Sequence, residues 1–379
     1  MKVLVSTTAG TGHFEPLLPF ARACAVAGHE VRVAAPRSFA GTVTRSGFDH
    51  LPFDDAPPDQ LGMVFESLRT MSFDEANEVV IREVFGRLDT GAALPGVEHA
   101  IRAWQPDIVL RETAEVASYV AAEAAGVPHV QVDVSLSSFG DYTALFEDPL
   151  VELGAQPGLQ ALRAAPRLSL IPQSLDGSQA PGSPSVGRFR DVVSPSGAEL
   201  PDWWSGSEEP LVYVTFGTVT AGLADFGELY RAVLDVLAGV PVRVLLTTGE
   251  AFDVEVLGAI PSSVHVERYW PQRDVMPHAA AMIAHGGLGT TLLGLSSGVP
   301  MVLLPLFADQ PHNADRVAEL GAAIVLHGGL ATVGELPEAL ERLLAEEVFR
   351  TRAGGVADEI ARLPLVAHAV PALEELVSP

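Results

Sequence analysis

The segment from Tyr269 to Val317 constrains the fold of this chain more than any other part of its sequence. An apolar run at Ala281–Ala284 leads into the glycine-rich run His285–Thr291, and a helical pattern continues from there to about Ser297. The next apolar run, Val299–Leu306, indicates a fully buried parallel strand. A strand, a glycine-rich turn, a helix and a second buried strand in this order predict an open α/β sheet that binds ligands at the carboxyl ends of its strands.

The glycine-rich turn predicts a site for a diphosphate. Glycine lets backbone N–H groups approach an anion closely, and the first turn of a helix offers unpaired donors at the positive end of the helix dipole. His285 and Thr290 add side-chain donors that would stabilise the charge on a departing nucleoside diphosphate. Asp309 and Gln310 follow the next strand, and a carboxylate and an amide suit the hydroxyls of a sugar. The pattern predicts a nucleotide-sugar site; the alternative is a glycine-rich turn without a ligand.

The ordered string of motifs from Tyr269 to Gln310 resembles the signature of the family 1 glycosyltransferases with the GT-B fold. It is most similar to the bacterial enzymes that attach deoxysugars to antibiotics and other natural products, such as macrolides and enediynes. The resemblance implies an α/β protein with two Rossmann-like, doubly wound domains that face a cleft. In this family an aromatic ring stacks on the nucleobase, the histidine and the Gly-Thr-Thr loop bind the diphosphate, and the Asp-Gln pair holds the donor sugar. The donor-binding residues that the resemblance implies here are Thr218, Tyr269, Trp270, Gln272, His285, Gly287, Gly289, Thr290, Asp309 and Gln310.

Three positions of this donor site leave alternatives open. Trp270 stands immediately before Pro271, so either Tyr269 or Trp270 provides the stacking ring, and an indole that fills the domain core is an equal alternative. The resemblance places Thr218 against the diphosphate, and a structural turn is the alternative. Leu293 stands where many plant relatives carry a glutamate that binds the ribose hydroxyls. Because leucine cannot accept those hydrogen bonds, the sequence favours a dTDP-sugar as donor.

A second set of candidate residues follows the first apolar run of the chain. Val3–Thr7 indicates a buried strand, and a glycine-rich turn after it places His13 at the start of a helix. The resemblance implies that His13 takes the proton of the acceptor hydroxyl, and that Glu112, in place of the usual aspartate, orients the imidazole. Glu115 is the alternative partner of His13. A capping or surface role for His13 and a solvated surface charge at Glu112 are the structural alternatives.

Methionine and aromatic side chains near two predicted strand ends indicate an apolar pocket for a hydrophobic aglycone, and core packing is the alternative for each of them. The resemblance implies an inverting transfer, in which the acceptor oxygen attacks the anomeric carbon from the face opposite the diphosphate. Neither an Asp-x-Asp pair after an apolar strand nor a His/Cys cluster with ligand spacing is present. We therefore expect a metal-independent reaction with no cofactor besides the nucleotide sugar as co-substrate. The acceptor candidates are Phe65, Met71, Phe139 and Tyr142.

Two other functions remain open at this point. A sugar-nucleotide epimerase of the same fold would share the diphosphate site, but it would need carboxylates facing the sugar ring and would not need His13. A catalytically inactive sugar-nucleotide-binding protein could serve as an assembly partner of a true transferase. The presence of His13, Asp309 and Gln310 argues against this loss of chemistry.

Composition excludes several classes of partner. The 48 acidic and 23 basic residues give a net charge of −25, which has the wrong sign for nucleic acids and anionic membranes. A single cysteine, Cys24, rules out a disulfide framework within the chain. The sequence predicts neither a signal peptide nor a membrane helix, and we expect a cytoplasmic protein. Whether two chains pair as a homodimer stays open.

Apolar runs alternate with helical patterns in two similar halves of the 379-residue chain, which predicts two domains. The stretch at about 179–201 is rich in proline, glycine and serine and indicates the linker. We expect an acceptor-binding domain at 1–200, which includes this linker, and a donor-binding domain at 202–364. The segment 365–379 indicates a helix that, in this fold, crosses back onto the first domain and couples closure of the cleft.

Overall fold

Two compact units make up the chain. Unit 1 comprises Met1–Asp191 and Leu363–Pro379, and unit 2 comprises Val192–Arg362. The predicted linker at about 179–201 falls largely outside the described residues. The computed structural model of the protein describes residues 1–68, 70–139, 142–154, 159–177, 185–191, 200–204, 207–217 and 226–378.

Short strands alternate with helices along most of the described chain, as the sequence predicts. The strands are β1 Lys2–Ser6, β2 Glu30–Pro36, β3 Asp49–Phe53, β4 Ile108–Glu112, β5 His129–Val132, β6 Arg167–Ser169, β7 Val186–Arg188, β8 Leu211–Thr215, β9 Arg243–Thr247, β10 Val264–Glu267, β11 Ala279–Ala284, β12 Met301–Leu303 and β13 Ala323–Val325. The α-helices are α1 Thr11–Phe14, α2 Leu18–Val26, α3 Ala40–Arg45, α4 Pro58–Leu68, α5 Phe73–Val79, α6 Thr90–Trp104, α7 Ala117–Ala125, α8 Glu147–Glu152, α9 Leu159–Ala164, α10 Gln173–Asp176, α11 Phe226–Leu237, α12 Gln272–Val275, α13 Leu288–Ser296, α14 Gln310–Glu319, α15 Leu336–Ala345, α16 Glu347–Arg362 and α17 Ala369–Val377.

Each unit is built on one parallel sheet, and in each the chain changes winding direction once. The strand order is β3-β2-β1-β4-β5-β6-β7 in unit 1 and β10-β9-β8-β11-β12-β13 in unit 2. The direction changes between β1 and β4 in the first sheet and between β8 and β11 in the second. The prediction of an α/β protein with two doubly wound, Rossmann-like sheets is confirmed. At such a switch point the loops after the two central strands diverge and leave space for a ligand.

The central strands are buried on both faces, which explains their continuous apolar runs. In unit 1, Phe14 and Phe20 pack with α17 on one face of the sheet, and Val97 and Trp104 of α6 cover the other. In unit 2, α11 and α15 contribute to the core over β8 and β9. None of the helices in the described part of the chain is both long and apolar enough to cross a membrane.

Strand β12 is shorter than the predicted run Val299–Leu306. Only Met301–Leu303 forms strand, because Pro300 and Pro305 flank these residues and proline has no N–H to donate to the sheet. Leu304 still donates its N–H to the carbonyl of Ala284 at 2.8 Å. The chain therefore leaves the sheet early, and the residues that follow are free to form the loop before α14.

Candidate active site

The switch point of unit 1 brings a histidine onto a buried carboxylate. His13 lies in α1, just after β1, and Glu112 is the last residue of the neighbouring strand β4. Their distance, from His13 Nδ1 to Glu112 Oε1, is 3.1 Å. The Glu112 side chain is completely buried, whereas the His13 side chain keeps 28% of its surface exposed. The arrangement suits a general base whose ring is oriented by a carboxylate and still reachable from solvent.

Hydrogen bonds from two neighbouring loops hold the Glu112 carboxylate. Thr8 donates its hydroxyl at 3.0 Å and its N–H at 3.4 Å, and Ala114 donates its N–H. Burial alone raises the pKa of the Glu112 carboxyl, but the charge of His13 and the hydrogen bonds from His13, Ala114 and Thr8 outweigh burial and lower that pKa. Glu112 is therefore ionised at neutral pH, and its assignment as a solvated surface charge is wrong.

Glu115, the alternative partner of His13, is committed elsewhere. Its carboxylate accepts the N–H of Ser118 at 3.0 Å and the Ser118 hydroxyl, at the start of α7. Burial raises the pKa of the Glu115 carboxyl. Beneath both acids lies Arg111, a fully buried arginine that donates to the side chain of Gln131 at 3.1 Å and to the Glu112 carbonyl at 3.3 Å. Burial lowers the Arg111 pKa to about 10, so a positive charge remains under the site at neutral pH.

A cavity of about 250 Å³ opens in unit 1 next to this pair. Its wall includes Phe85, from a π-helical segment at Val80–Asp89, and the Phe85 ring centroid lies 5.3 Å from that of His13. The structure places Phe65, Met71 and Tyr142 away from the lining of this cavity, with Phe65 52% and Met71 36% exposed; the side chain of Phe139 lies outside the described residues. Sequence reasoning missed Phe85 and Asp89 because a π-helical segment does not follow the 3.6-residue period that marks an amphipathic helix.

The switch point of unit 2 carries the glycine-rich loop. β11 ends at Ala284, and α13 begins at Leu288 with Gly287 as its N-cap and no side-chain cap. The first N–H groups of a helix have no partner within it, so those of α13 remain available to an anion. Gly289 and Thr290 lie in this first turn, Gly289 exposed and Thr290 half-buried. The loop therefore presents donors where the sequence predicts a diphosphate.

His285 is held as a neutral imidazole. Its side chain is buried, and burial lowers the pKa of His285 to about 4. Gly217 and Gly287 lie against the ring: a Cβ on Gly287 would approach its Nε2 to 2.5 Å, and one on Gly217 would approach it to 2.9 Å. Glycine is required at both places, and at Gly217 the backbone φ of +81° adds to that requirement. Without a ligand His285 is not a cation, and its single N–H bonds the carbonyl of Thr215.

In the Asp-Gln pair, part of the Gln310 side chain already forms hydrogen bonds within the protein. The Gln310 side-chain oxygen accepts the N–H groups of Leu306 at 2.9 Å and Phe307 at 3.1 Å, so it closes the loop after β12. Only its NH₂ group remains for a sugar, which narrows the role predicted for this residue. Asp309 stands at the N-terminus of α14, directly after Ala308, whose φ of +57° is unusual for a residue other than glycine.

Asn313 connects the two loops of the donor site. Its fully buried side chain donates to Asp309 Oδ2 at 2.8 Å and to the carbonyl of Gly286 at 3.1 Å. Sequence reasoning did not single out this residue. The available signal was its position four residues after Asp309, which places both side chains on one face of a helix.

The aromatic residues of the nucleobase site take different positions. Tyr269 is 62% exposed, whereas the ring of Trp270 packs edge-on against Trp203 at 5.0 Å with its Nε1 buried. The packing favours Tyr269 as the ring that is open to a base. Gln272 begins α12 and hydrogen-bonds the phenol of Tyr213 in the middle of β8.

Two further expectations concern the surroundings of this site. Thr218 lies outside the described residues. Within the ranges that the structure describes, no group of three or more histidine, cysteine, aspartate or glutamate side chains could hold a metal ion.

Known proteins resemble the chain over nearly its full length. A family model described as the N-terminal domain of erythromycin biosynthesis protein CIII-like proteins matches residues 22–210, and the model of the corresponding C-terminal domain matches residues 231–376. L-demethylnoviosyl transferase from Streptomyces niveus is 30% identical, with 100% of both chains covered. TDP-daunosamine transferase DnrS from Streptomyces peucetius is 28% identical, over 100% of this chain and 97% of the relative. The crystal structure of the glycosyltransferase SnogD from Streptomyces nogalater superposes with a TM-score of 0.77 at 26% identity, over 100% of this chain and 99% of that one.

Proposed function

The chain belongs to the erythromycin biosynthesis protein CIII-like family of GT-B glycosyltransferases, and from that premise we propose that it transfers a deoxysugar, with inversion, from a dTDP-sugar to a hydrophobic natural-product aglycone. The observation that supports the proposal most is the contact of His13 with a buried, ionised carboxylate, Glu112. An epimerase or an inactive binding protein would not require this pair. The family relatives are named as sugar transferases, which favours transfer over both alternatives.

In this proposal His13 removes the proton of the acceptor hydroxyl as its oxygen attacks the anomeric carbon. The proton moves to the imidazole, the bond to the diphosphate breaks on the opposite face, and Glu112 stabilises the imidazolium that forms. Proton transfer to a positioned base contributes roughly 10²–10⁴-fold to such rates. An α-linked donor would give a β-glycoside.

On the donor side, the first turn of α13 and the Thr290 side chain would bind the diphosphate. His285 would donate its single N–H to the diphosphate by giving up its bond to the Thr215 carbonyl. Asp309 would accept hydrogen bonds from the sugar hydroxyls, and the exposed Tyr269 ring would stack on the base. The name of the TDP-daunosamine relative supports a thymidine donor, as does Leu293.

Nucleotide preference tests the proposal. Titration of the wild-type protein with dTDP and with UDP should show at least about tenfold tighter binding of dTDP, since the ribose 2′-hydroxyl of UDP finds no carboxylate at Leu293. Leu293→Glu should shift the preference toward UDP, whereas Leu292→Glu, which adds the same charge one position earlier, should not. Equal affinities, or tighter binding of UDP to the wild type, would contradict the thymidine donor.

We also propose that transfer requires no metal ion. The diphosphate charge would be met by the helix N-terminus and neutral donors. Chelator added to a working transfer assay should leave the rate within about twofold, and magnesium should not restore or raise it. A large loss of rate that magnesium reverses would refute metal independence.

A further inference from the structure

We propose that Asp89 anchors the acceptor in unit 1 by accepting a hydrogen bond from a second polar group of the acceptor, a hydroxyl or a protonated amine, while the reacting hydroxyl lies at His13. The inference rests on the proposed transfer reaction and adds a requirement on the acceptor: it must carry a hydrogen-bond donor besides the hydroxyl that is glycosylated.

The cavity beside the His13–Glu112 pair is apolar over most of its wall. Asp89 is one of seven polar residues in its lining, with Thr8, Ser38, Asp54, Asp55, Thr90 and Glu115. Thr8 and Ala114 also line the cavity, and both donate hydrogen bonds to Glu112, so the cavity reaches the residues that support the base. The apolar lining residues include Pro36, Phe53, Ala56, Leu61, Phe85 and Ala93.

Among the described residues, Asp89 differs from the other polar side chains of the cavity in having no hydrogen-bond or ion-pair partner. Thr8 bonds Glu112, Glu115 bonds Ser118, Asp54 pairs with Arg37, Asp55 accepts from Ser38, and the Thr90 hydroxyl bonds the carbonyl of Phe85. In the described part of the chain, no hydrogen bond or ion pair reaches the Asp89 carboxyl.

The environment of this carboxyl makes its lack of a partner unfavourable. Burial, helped by the negative charges of Glu112, Glu115 and Asp55 and opposed by His13, raises the pKa of Asp89 to about 6. Asp89 is half-buried, so its carboxylate is partly desolvated but still accessible from the cavity. A partly desolvated carboxylate is stabilised by a hydrogen-bond donor. A polar group on the acceptor would supply it here.

The position of Asp89 relative to the base explains what the contact would achieve. Asp89 ends the π-helical segment Val80–Asp89, and four residues earlier Phe85 lies against the His13 ring. Wider turns of this kind occur often at functional sites. Asp89 therefore lines the cavity, and His13 lies against Phe85 of the cavity wall. A rigid acceptor held at Asp89 would present a particular hydroxyl to His13. Asp89 would determine which hydroxyl reacts and would itself transfer no proton.

Single-ring probes test the inference without knowledge of the natural acceptor. Phenol, resorcinol, resorcinol monomethyl ether and meta-hydroxybenzylamine share one hydroxyl and differ in the second group. Titration of the wild-type protein should show resorcinol or meta-hydroxybenzylamine binding about tenfold more tightly than phenol or the monomethyl ether. Asp89→Ala should remove this preference. Asp89→Asn should keep it if the donor is a hydroxyl, which an amide oxygen can still bind, and lose it if the donor is an ammonium.

Asp54→Asn is the matched control, because it also removes a carboxylate from the lining of this cavity. The Asp54 side chain is 72% exposed and is already paired with Arg37. The Asp54→Asn variant should bind resorcinol and meta-hydroxybenzylamine more tightly than phenol to the same degree as the wild type. Thermal unfolding of each variant verifies folding. If Asp89→Ala fails to fold, the test is Asp89→Asn with meta-hydroxybenzylamine, whose tighter binding should be lost because an amide does not pair with the ammonium. Failure of resorcinol and meta-hydroxybenzylamine to bind the wild type, equal affinities across the series, or a preference that survives Asp89→Ala would overturn the inference.

Binding of dTDP separates this outcome from that of the proposed function. If dTDP binds while the affinities of the probes do not depend on Asp89, the transferase proposal stands and the role of Asp89 as an anchor is wrong. If the probes depend on Asp89 while the wild type does not bind dTDP, the anchor stands and the donor assignment is wrong.

Discussion

At the scale of single residues, the contact between His13 and Glu112 depends on strand order, which sequence spacing does not reveal. The two residues are far apart in sequence, and they meet because β1 and β4 are neighbours in the first sheet. The family resemblance indicated both residues, whereas the competing role of Glu115 could be settled only by its bonds to Ser118. Asp89 escaped notice because one acidic residue among many in an acidic chain has no distinctive pattern.

Removing the charge of Glu112 should impair catalysis more than folding. Glu112→Gln keeps a hydrogen-bonding group of the same size but cannot stabilise an imidazolium, so kcat/KM should fall roughly 10²–10⁴-fold with little change in dTDP affinity. Glu112→Asp, which restores the charge on a shorter side chain, should recover part of the rate. Glu98→Gln, which removes a half-buried carboxylate paired with Arg102, is the control and should match the wild type. Full activity in Glu112→Gln would exclude the carboxylate from the mechanism.

The raised pKa of Asp89 also predicts that replacing this carboxylate increases the stability of the protein in a pH-dependent way. Its folded pKa of about 6 lies above its ordinary value of 3.8, so in the wild type the free energy of unfolding decreases as pH rises from about 4 to about 6, and the full penalty is present above pH 6. Asp89→Asn lacks this penalty. It should be more stable than the wild type by roughly 1–3 kcal/mol at pH 7.5, and the difference should vanish near pH 4. Urea unfolding at both pH values measures it, and a variant that is less stable at neutral pH would show that the carboxylate has a favourable partner.

At the scale of elements, sequence patterns identified the strand, turn and helix of the donor loop but not the contacts between that loop and its neighbours. The glycine-rich run and the apolar runs predicted β11, α13 and the strand that became the shorter β12. The bonds that Asn313 makes to Asp309 and Gly286 link elements whose proximity no local pattern encodes. For the same reason, the use of the Gln310 oxygen in closing its own loop could not be anticipated.

Asn313 should therefore couple the diphosphate loop to the sugar-binding aspartate. Asn313→Ala leaves the buried Gly286 carbonyl and Asp309 without this donor, and donor affinity should fall about tenfold while kcat falls less. Asn313→Asp should weaken binding further, because a second carboxylate would lie against Asp309. Asp315→Asn, which changes an exposed residue of α14 that pairs with His327, should bind the donor normally. Unchanged KM for the donor in Asn313→Ala would remove this residue from the site.

At the scale of the whole molecule, unit 1 is assembled from both ends of the chain. The chain leaves it after Asp191 and returns at Leu363, and the two crossings pair where Arg190 donates its N–H to the Pro364 carbonyl at 2.8 Å. The sequence analysis expects a C-terminal helix that crosses back onto the first domain. Val370 and Leu373 of α17 join the core cluster of unit 1 that contains Phe20. Whether this helix also affects the donor site is a separate question that two leucines of α17 can answer.

Leu373→Ala should destabilise unit 1 by about 2–5 kcal/mol, since the buried side chain leaves a cavity beside α2. Leu376→Ala, three residues later on the same helix and 41% exposed, should cost less than about 0.5 kcal/mol. Hydrogen exchange should become faster in α2 in the first variant and stay unchanged in α13 of unit 2. If dTDP affinity is also unchanged in Leu373→Ala, the helix serves only the core of unit 1. If affinity falls while α13 remains protected, the C-terminal helix transmits its packing to the donor-binding unit, which is the coupling that the sequence predicts.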